Sequence, residues 1–368
     1  MTLRKLFSYI ALLALLAACG PKPTTPAPTL TPILRVTPGP TTPPPPTVGA
    51  TPTLEPSATP VVQVVGYAAT GEGTAGVRAA LDAAAQAHGW QVQAGSDVAA
   101  LAQAGALLVV ADGAELEAAT RAAASANPAV YFIGLNQAGA DPALPNLLTL
   151  GGPNLREDQA GFAAGLIAGY VTEVQAVTAI ANTATATGLK YRNGFLHGVR
   201  YSCTRCQVNF IDLADESATQ FAADQARFAA INTSDVVFAA AGAAGWAGLR
   251  AAAEAGVWVI GGGGDAYAAA FDNGNTAGAE WLVTSVYFDP AAAAVTGLSA
   301  ALEAFAAGTP LTGAQPYSVA NGAVVVLPPR VGPEVYSELD QQDVQAALAL
   351  LADGSLETGV DPVTGNEL

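Results

Sequence analysis

The sequence predicts an α/β protein built from parallel sheets that are covered by helices on both faces. From Val61 onward, short apolar runs rich in β-branched residues alternate with alanine-rich stretches of helical length. The short runs carry few polar residues, as expected for strands that are buried on both faces of a parallel sheet. About 350 residues follow a short N-terminal signal, a length that fits two lobes better than one small core.

The predicted elements alternate along almost the whole region. The strands are short apolar runs at 61–67, 107–111, 129–135, 147–150, 176–181, 208–213, 236–240, 257–260, 281–286 and 322–327. The helices are longer stretches rich in alanine and glycine at 76–88, 159–170, 191–199, 218–231, 246–255, 290–307 and 343–352. Open sheets of this kind bind ligands at the carboxyl ends of their strands, so two such sheets facing each other would form a cleft.

The first 19 residues resemble an export signal with a lipid attachment site. Arg4 and Lys5 precede an apolar run at 6–17, which is too short to span a bilayer core that needs ~20 helical residues. Residues 16–19 (LAAC) are similar to a bacterial lipobox, in which Cys19 accepts diacylglycerol. The alternative is an ordinary secretory signal in which Cys19 is incidental. The lipobox predicts a chain held by lipid at the extracytoplasmic face of a cell membrane.

A tether follows the signal. Residues 21–60 contain 14 Pro and 11 Thr, a composition that cannot bury a core and favours extended polyproline II. At ~3.1 Å per residue this stretch could hold a domain roughly 120 Å from the membrane. We therefore predict a disordered tether at 20–60.

The region from Val61 onward is strongly acidic. It carries 10 Lys and Arg residues against 29 Asp and Glu residues, in a chain of formal net charge −16. Phosphate backbones are bound through basic patches, so this composition argues against nucleic acid and against an anionic membrane surface as partners. We expect a monomer whose membrane attachment depends on the lipid alone.

The two remaining cysteines form a Cys-x-x-Cys pair, Cys203 and Cys206. In a cytosolic βαβ unit this spacing would indicate redox chemistry, and free thiols are a further alternative. Outside the membrane a disulfide is favoured. A metal site needs more ligands, and the only histidines, His88 and His197, lie far apart in the sequence.

The sequence contains none of the motifs G-x-S-x-G, Walker A or H-E-x-x-H. The neighbouring carboxylates Glu157 and Asp158 begin a predicted helix, where they suit the helix dipole better than acid–base chemistry. We therefore expect a protein that is not an enzyme and that uses no cofactor and no metal.

A glycine-rich loop follows the first predicted strand. Residues 71–76 (GEGTAG) match G-x-G-x-x-G, which in a dinucleotide site places pyrophosphate at a helix N-terminus. Here the first glycine lies several residues beyond the strand, and no acidic residue is clearly placed about 20 positions later. We favour a loop at the edge of the cleft that contacts ligand through backbone N–H groups, with Thr70 beside it as a candidate contact.

Two further candidate positions follow strand ends. Four glycines at 261–264 precede Asp265; glycines let the backbone approach a ligand, and Asp265 could accept hydrogen bonds from hydroxyl groups or could cap the next helix. Gly263, Gly264 and Asp265 are therefore candidate ligand contacts. Asn136 is either a contact or part of an Asx-turn.

Aromatic residues near these positions are candidates for stacking on a ring. Trp246 opens a predicted helix and could either stack on the ligand or pack in the core. Tyr267 and Phe288 are weaker candidates of the same type.

Five ordered segments between Leu147 and Gly322 resemble the basic membrane protein family, the PnrA-like nucleoside-binding lipoproteins that serve ABC transporters. They occupy 157–165 (EDQAGFAAG), 193–198 (NGFLHG), 234–242 (SDVVFAAAG), 259–261 (VIG) and 282–286 (LVTSV), and their order and spacing match the family. The resemblance implies a type I periplasmic-binding-protein fold with two Rossmann-like lobes and a hinge. It further implies capture of a small solute, a purine nucleoside or a related compound, for a permease.

The resemblance also divides the chain. It implies one lobe from 61–150 plus about 288–315, a second lobe from about 151–287 plus 316–330, and a C-terminal helical extension at 331–368. A ligand-sensing receptor module and, less favoured, a Rossmann-type surface enzyme are the alternative functions.

Several pocket positions of the family are changed in this sequence. Where the family has Asp after one strand, this chain has Asn136, and where it has Lys after its TSv element, this chain has Phe288. The family's first loop carries an Asp and a Phe-Asn pair, and both are missing from 68–76. The aromatic residue of the family's sFxD element corresponds to Leu213, and Asp215 matches the later Asp of that element. The first Asp of the family's GVDxDQ element corresponds to Gly263. These changes imply a more neutral and more apolar pocket than the family's own.

Overall fold

The computed structural model describes residues 63–139 and 141–368. The predicted signal peptide at 1–19, its lipidation site Cys19 and the tether at 20–60 lie outside the described residues. Within the described part of the chain, no helix is long and apolar enough to cross a membrane.

The first sheet has six parallel strands in the order β11-β5-β4-β3-β1-β2. Its strands are β1 (Val64–Ala69), β2 (Gln91–Gly95), β3 (Leu108–Asp112), β4 (Tyr131–Leu135), β5 (Leu147–Leu150) and β11 (Gly313–Gln315). Four helices cover it: α1 (Val77–His88), α2 (Val98–Gln103), α3 (Glu117–Ala126) and α9 (Pro290–Ala306). Helices α1 and α9 share one apolar cluster with the sheet, and α2 and α3 share the other.

The second sheet has the order β12-β10-β9-β8-β6-β7 and is parallel except for the β10–β12 pair. Its strands are β6 (Ala176–Asn182), β7 (Gln207–Leu213), β8 (Val236–Ala240), β9 (Trp258–Gly261), β10 (Leu282–Phe288) and β12 (Val324–Val326). Its helices are α4 (Glu157–Val171), α5 (Ala186–Ser202), α6 (Thr219–Asn232), α7 (Gly242–Glu254), α8 (Ala266–Ala269) and α10 (Glu338–Ala352). Helices α4, α5 and α10 cover one face, and α6, α7 and α8 the other.

The chain passes between the two sheets at 151–156, at 289 and at 316–323. These crossings are joined by backbone hydrogen bonds: Arg156 N–H donates to Tyr317 O (3.1 Å) and Asp289 N–H to Ala323 O (2.7 Å). The first two crossings leave from the carboxyl ends of β5 and β10. The carboxyl ends of both sheets therefore border the crossings, and the predicted α/β architecture of two mostly parallel sheets is confirmed.

Helices α4 and α5 touch through interlocking glycines. A methyl group added to Gly165 would lie 2.2 Å from Phe195 O, and one added to Gly198 would lie 2.0 Å from Phe162 O. These are backbone atoms of the opposite helix, so only glycine allows this separation. The segments 157–165 and 193–198, which carry the family resemblance, therefore include the contact surface of a helix pair.

Three buried polar residues at the start of α4 each bind a different part of the chain. Glu157 pairs with Lys190 of α5 (2.9 Å), and Asp158 accepts a hydrogen bond from Thr358 of the C-terminal tail. Gln159 Oε1 accepts from the backbone N–H of Val319 in the third crossing (2.8 Å). The first turn of α4 thereby joins its neighbouring helix, the tail and a crossing.

The structure corrects the predicted bounds of two helices. Helix α7 begins at Gly242, so Trp246 lies in its second turn and does not open it; Gly242 (φ +51°) turns the chain into the helix. In the predicted helical extension at 331–368, only Glu338–Ala352 is helical. The tail after it contains Gly354, Gly359 and Gly365 at positive φ and turns back on α5.

Candidate functional site

A cavity of about 320 Å³ lies at the carboxyl ends of β6, β8 and β9 of the second sheet. Its walls come from the loops that follow these strands and from the N-terminal turns of α5 and α7. This is the edge at which open α/β sheets bind ligands. A larger cavity of about 650 Å³ lies between α10 and the segment after β12, and its wall includes no residue that ends a parallel strand of the sheet.

Asn182 ends β6 and forms part of the cavity wall. Its side chain is buried, and Gly188 of α5 lies directly against its backbone carbonyl group, where an added methyl group would come within 1.7 Å. Thr185 caps α5 by accepting a hydrogen bond from Gly188 N–H (3.1 Å). The β6–α5 connection is therefore tight, and it fixes the amide of Asn182 at the cavity.

Glu216, on the loop after β7, brings a carboxylate into the cavity. Its Oε1 accepts a long hydrogen bond from Asn182 Nδ2 (3.3 Å), and its Oε2 lies where a side chain on Gly242 would be, 2.2 Å from the added methyl. Glu216 is otherwise exposed and keeps free acceptor positions. Sequence reasoning missed it; the available signal was an acidic residue soon after a strand end.

The neighbouring Asp215, which matches the family's later Asp, binds its own loop. Ser217 donates to it from its backbone N–H (2.8 Å) and from its hydroxyl (2.6 Å), and these hydrogen bonds hold the pKa of Asp215 below its usual range. Both donors face the ionised carboxylate, as in an Asx-turn.

The structure brings together Trp246, Gly263 and Gly264 of the predicted contacts. Trp246 is half-buried and lines the cavity together with Gly263. A methyl group added to Gly264 would lie 3.9 Å from Cζ2 of the Trp246 indole. Gly263 and Gly264 have φ values of +81° and +153°, which side chains rarely adopt. The loop can therefore pass beside the indole at close range.

Asp265 and Tyr267, unlike Trp246 and Gly263, are not part of the cavity wall. Asp265 Oδ1 accepts a hydrogen bond from Tyr267 N–H (2.9 Å) and caps the short helix α8, which is the alternative considered from the sequence. The Tyr267 ring lies under the guanidinium group of Arg330, 3.4 Å from its centroid, and is outside the cavity wall.

Phe288 lies between the two halves of the molecule. Its side chain packs against apolar clusters of both sheets, and its backbone N–H donates to Tyr191 Oη (2.9 Å). Tyr191 is buried, lines the cavity and has its pKa raised by burial. Phe288 is outside the wall of the 320 Å³ cavity and contacts both halves of the molecule.

Asn136 and Thr70 lie at the carboxyl edge of the first sheet. Asn136 (φ +59°) donates from Nδ2 to Thr74 Oγ1 (3.0 Å), and the Thr74 hydroxyl in turn donates to Asp112 (2.6 Å). Thr70 donates to Glu115, which lowers the pKa of that carboxyl. Asn136 is therefore linked to the glycine-rich loop, and Thr70 to the loop after β3.

The glycine-rich loop is fixed by a buried carboxylate. Asp112 is 2% exposed and accepts hydrogen bonds from Thr74 N–H (2.7 Å) and from the Tyr67 hydroxyl (2.9 Å). Burial and this hydrogen bond raise the pKa of Tyr67 to about 12. A loop N–H that would face a phosphate in a dinucleotide site is thus bound to a carboxylate, which favours the cleft-edge interpretation of the loop.

The cysteine pair lies at the far end of α5 from the cavity. The Sγ atoms of Cys203 and Cys206 are bonded, with Cα atoms 5.4 Å apart. Cys206 packs against the apolar cluster under α4 and α5.

The chain is similar to several known proteins in its fold and to one family in its sequence. No curated protein matches the chain. A solute-binding protein of an ABC transporter system from Conexibacter woesei DSM 14684 has a TM-score of 0.53 at 20% identity, covering 80% of this chain and 98% of its own. A transcriptional activator of the comK gene from Bacillus halodurans has a TM-score of 0.51 at 16% identity, covering 80% of this chain and 99% of its own.

At these identities the two structures show the fold alone, and the same fold serves a transporter component and a transcriptional activator. The sequence model of one family is more specific. The model described as Bmp, ABC transporter substrate-binding protein PnrA-like, matches residues 78–300, more than half of the chain. The chain therefore belongs to the Bmp family of PnrA-like ABC transporter substrate-binding proteins.

Proposed function

We propose that this solute-binding protein is anchored by lipid at the extracytoplasmic face of a membrane and captures a nucleoside-like ligand for the permease of an ABC transporter. The observation that carries the proposal is the cavity in which Trp246, Glu216 and Asn182 meet at the carboxyl ends of the second sheet. The anchor rests on the lipobox at Cys19, which membrane fractionation of a Cys19→Ser variant tests.

The cavity suits a small ring compound with hydroxyl groups. Its volume of about 320 Å³ is at the lower end of the ~300–1,000 Å³ usual for ligand pockets. The indole of Trp246 provides a face for a ring, and the free acceptor positions of Glu216 can receive hydroxyl hydrogens. The positions that differ from the family affect which ring compound the cavity binds.

We further propose that each sheet is the core of one lobe. The first lobe combines 61–150 with about 288–315, and the second combines about 151–287 with 316–330. The crossings at 151–156, 289 and 316–323 would form the hinge, and closure would bring Asn136 and Thr70 toward a ligand held by the second lobe. The hydrogen bond from the Tyr67 hydroxyl to Asp112 would then stabilise the first lobe's side of the cleft.

A thermal-shift screen tests the function. The panel contains adenosine, guanosine, inosine, free sugars, amino acids and small carboxylates. We expect at least one nucleoside to raise the melting temperature, because a ligand at 100 times its Kd adds ~2.7 kcal/mol to the free energy of unfolding. If sugars shift the melting temperature and nucleosides do not, the protein binds a solute of another class. If no compound in the panel shifts it, the proposed ligand chemistry is wrong.

A further inference from the structure

We infer that two copies of this chain associate through helix α6, with their α6 helices packed antiparallel. Helix α6 is amphipathic in the reverse of the usual sense. Its buried residues are all alanines, Ala222, Ala226 and Ala229. Its three large apolar side chains point to solvent, with Phe221 54%, Phe228 61% and Ile231 68% exposed.

The reversed pattern follows from how α6 packs on α7. A methyl group added to Gly248 of α7 would lie 3.3 Å from Ala222 O and 3.5 Å from Ala226 Cβ, so the two helices are almost in backbone contact. This spacing has no room for phenylalanine on the inner face. Helix α6 therefore cannot bury Phe221 and Phe228 by rotating about its axis.

The exposed apolar side chains form one surface. Phe221 and Phe228 are seven residues apart, which is two helical turns, and Ile231 follows less than one turn later. A surface helix of a monomer normally turns its apolar stripe toward the core. Large apolar side chains grouped on one outer helix face indicate an interaction surface.

The charges on this face select a second copy as the occupant. Asp224 and Arg227 lie between the apolar residues, and both are about half exposed. An antiparallel second copy centred at the level of Ala226 would place Phe221 opposite Ile231 of that copy. It would also place Asp224 within ~1.5 Å, along the axis, of the level of Arg227 in that copy, given the helical rise per residue. Two-fold symmetry repeats both contacts, as an isologous interface requires.

Both charged side chains can exchange their present ion-pair partners for those of a second copy. Arg227 lies 3.8 Å from Asp224 and 3.6 Å from Glu254 in its own chain, and these exposed ion pairs are long. Exposed pairs of this kind contribute little, so exchanging them costs little. An anionic lipid surface is a poor alternative occupant, because it offers no cation to Asp224, whereas a second copy offers Arg227.

The inference is independent of the proposed ligand, and it differs from the monomer expected from the sequence, so the experiment decides between the two. The test is sedimentation velocity of the purified full chain in detergent, with Phe228→Glu as the first variant. We expect the unsubstituted chain to form dimers and Phe228→Glu to weaken association by ~10-fold or more, because it places a charge in the apolar contact. Leu339→Glu, an equally exposed leucine on α10, is the control and should leave association unchanged.

Charge reversal tests the antiparallel arrangement itself. Asp224→Arg and Arg227→Asp should each weaken self-association, because each places like charges together across the interface. A mixture of these two variants should associate more tightly than either alone, since every cross-interface pair in the mixed dimer has opposite charges. Unchanged melting temperatures establish that the variants fold.

Three results would overturn the inference. A chain that sediments as a monomer at every concentration is one, and it is the result expected if another polypeptide occupies α6. Binding of the monomer to lipid vesicles that is lost in Phe228→Glu would assign the surface to the membrane. A mixture of the two charge variants that associates no better than its components would exclude the antiparallel pair.

Discussion

Two neighbours place Glu216 in the cavity: Gly242 has no side chain to block it, and Asn182 binds it. Gly242 leaves the space that the carboxylate occupies, and Asn182 Nδ2 donates a hydrogen bond to it at 3.3 Å. Asp215, one residue earlier, is bound to Ser217 on its own loop. Adjacent carboxylates on one loop thus have different surroundings, and of the two Glu216 lines the cavity.

We predict that Glu216→Gln weakens binding of the nucleoside found in the screen by ~10-fold or more, because a hydrogen bond to a charged group is worth ~1.5–3 kcal/mol. The matched change Asp215→Asn should alter the Kd by less than ~2-fold, since that carboxylate faces its own loop. Isothermal titration calorimetry measures both. Equal effects of the two substitutions would remove Glu216 from the site.

Helices α4 and α5 show how glycine determines packing at the scale of an element. Gly161 and Gly165 of α4 face backbone atoms of α5, and Gly194 and Gly198 of α5 face backbone atoms of α4. Each glycine meets a carbonyl group of the opposite helix at a distance that excludes a methyl group. The two helices therefore behave as one rigid layer, on which the tail and α10 are laid.

Gly198→Ala is expected to lower the free energy of unfolding by ~1–3 kcal/mol or more, because the added methyl would overlap Phe162 O at 2.0 Å and force the helices apart. The control is Gly245→Ala in α7, where the nearest atom lies at an ordinary 3.5 Å. That change should be neutral or stabilising by up to ~1 kcal/mol through helix propensity. Urea unfolding compares the two, and equal losses would show that the close contact between α4 and α5 is unimportant.

Sequence patterns identify most elements but miss those whose stability comes from neighbours. Continuous apolar runs such as 147–150 and 236–240 are strands with the predicted bounds. Helix α2 has six residues and depends on the cap Asp97, and strand β11 has three residues paired only with β5. Helix α3 is alanine-rich, and its moderate polarity hid it among loops.

The sequence predicts the parts of the candidate site that depend on the backbone conformation of glycine. The glycines at 263 and 264 adopt positive φ values that their residue type allows, while the ligand contacts predicted for them, for Trp246 and for Asp265 stay predictions. Glu216 and Asn182 could not be paired from the sequence, because their contact depends on how β6, β7 and α7 meet in space. The roles of Asn136, Thr70, Tyr267 and Phe288 toward ligand stay predictions.

At the scale of the whole molecule, the three crossings lie together and their backbone hydrogen bonds join them into a narrow band. Phe288 packs against both sheets at this band. A rotation about so narrow a connection can change the separation of the two strand edges while leaving each sheet intact.

We predict that the nucleoside found in the screen lowers the radius of gyration in small-angle X-ray scattering, because binding draws the two lobes together. The same measurement on a Trp246→Ala variant should show no compaction at that ligand concentration, since the stacking surface is gone. A radius that stays constant at ligand saturation of the unsubstituted chain would contradict closure.

The order of the strands along the chain governs how the polypeptide can be divided. The first sheet gains β11 and α9 only after every strand of the second sheet except β12 has been synthesised. A fragment ending at residue 288 would leave Ile133 and Leu148 without Leu298 and the rest of α9 to cover them. No single cut in the gene can therefore yield either half as an intact folding unit, and a stop codon before residue 313 removes β11 of the first sheet and β12 of the second at once.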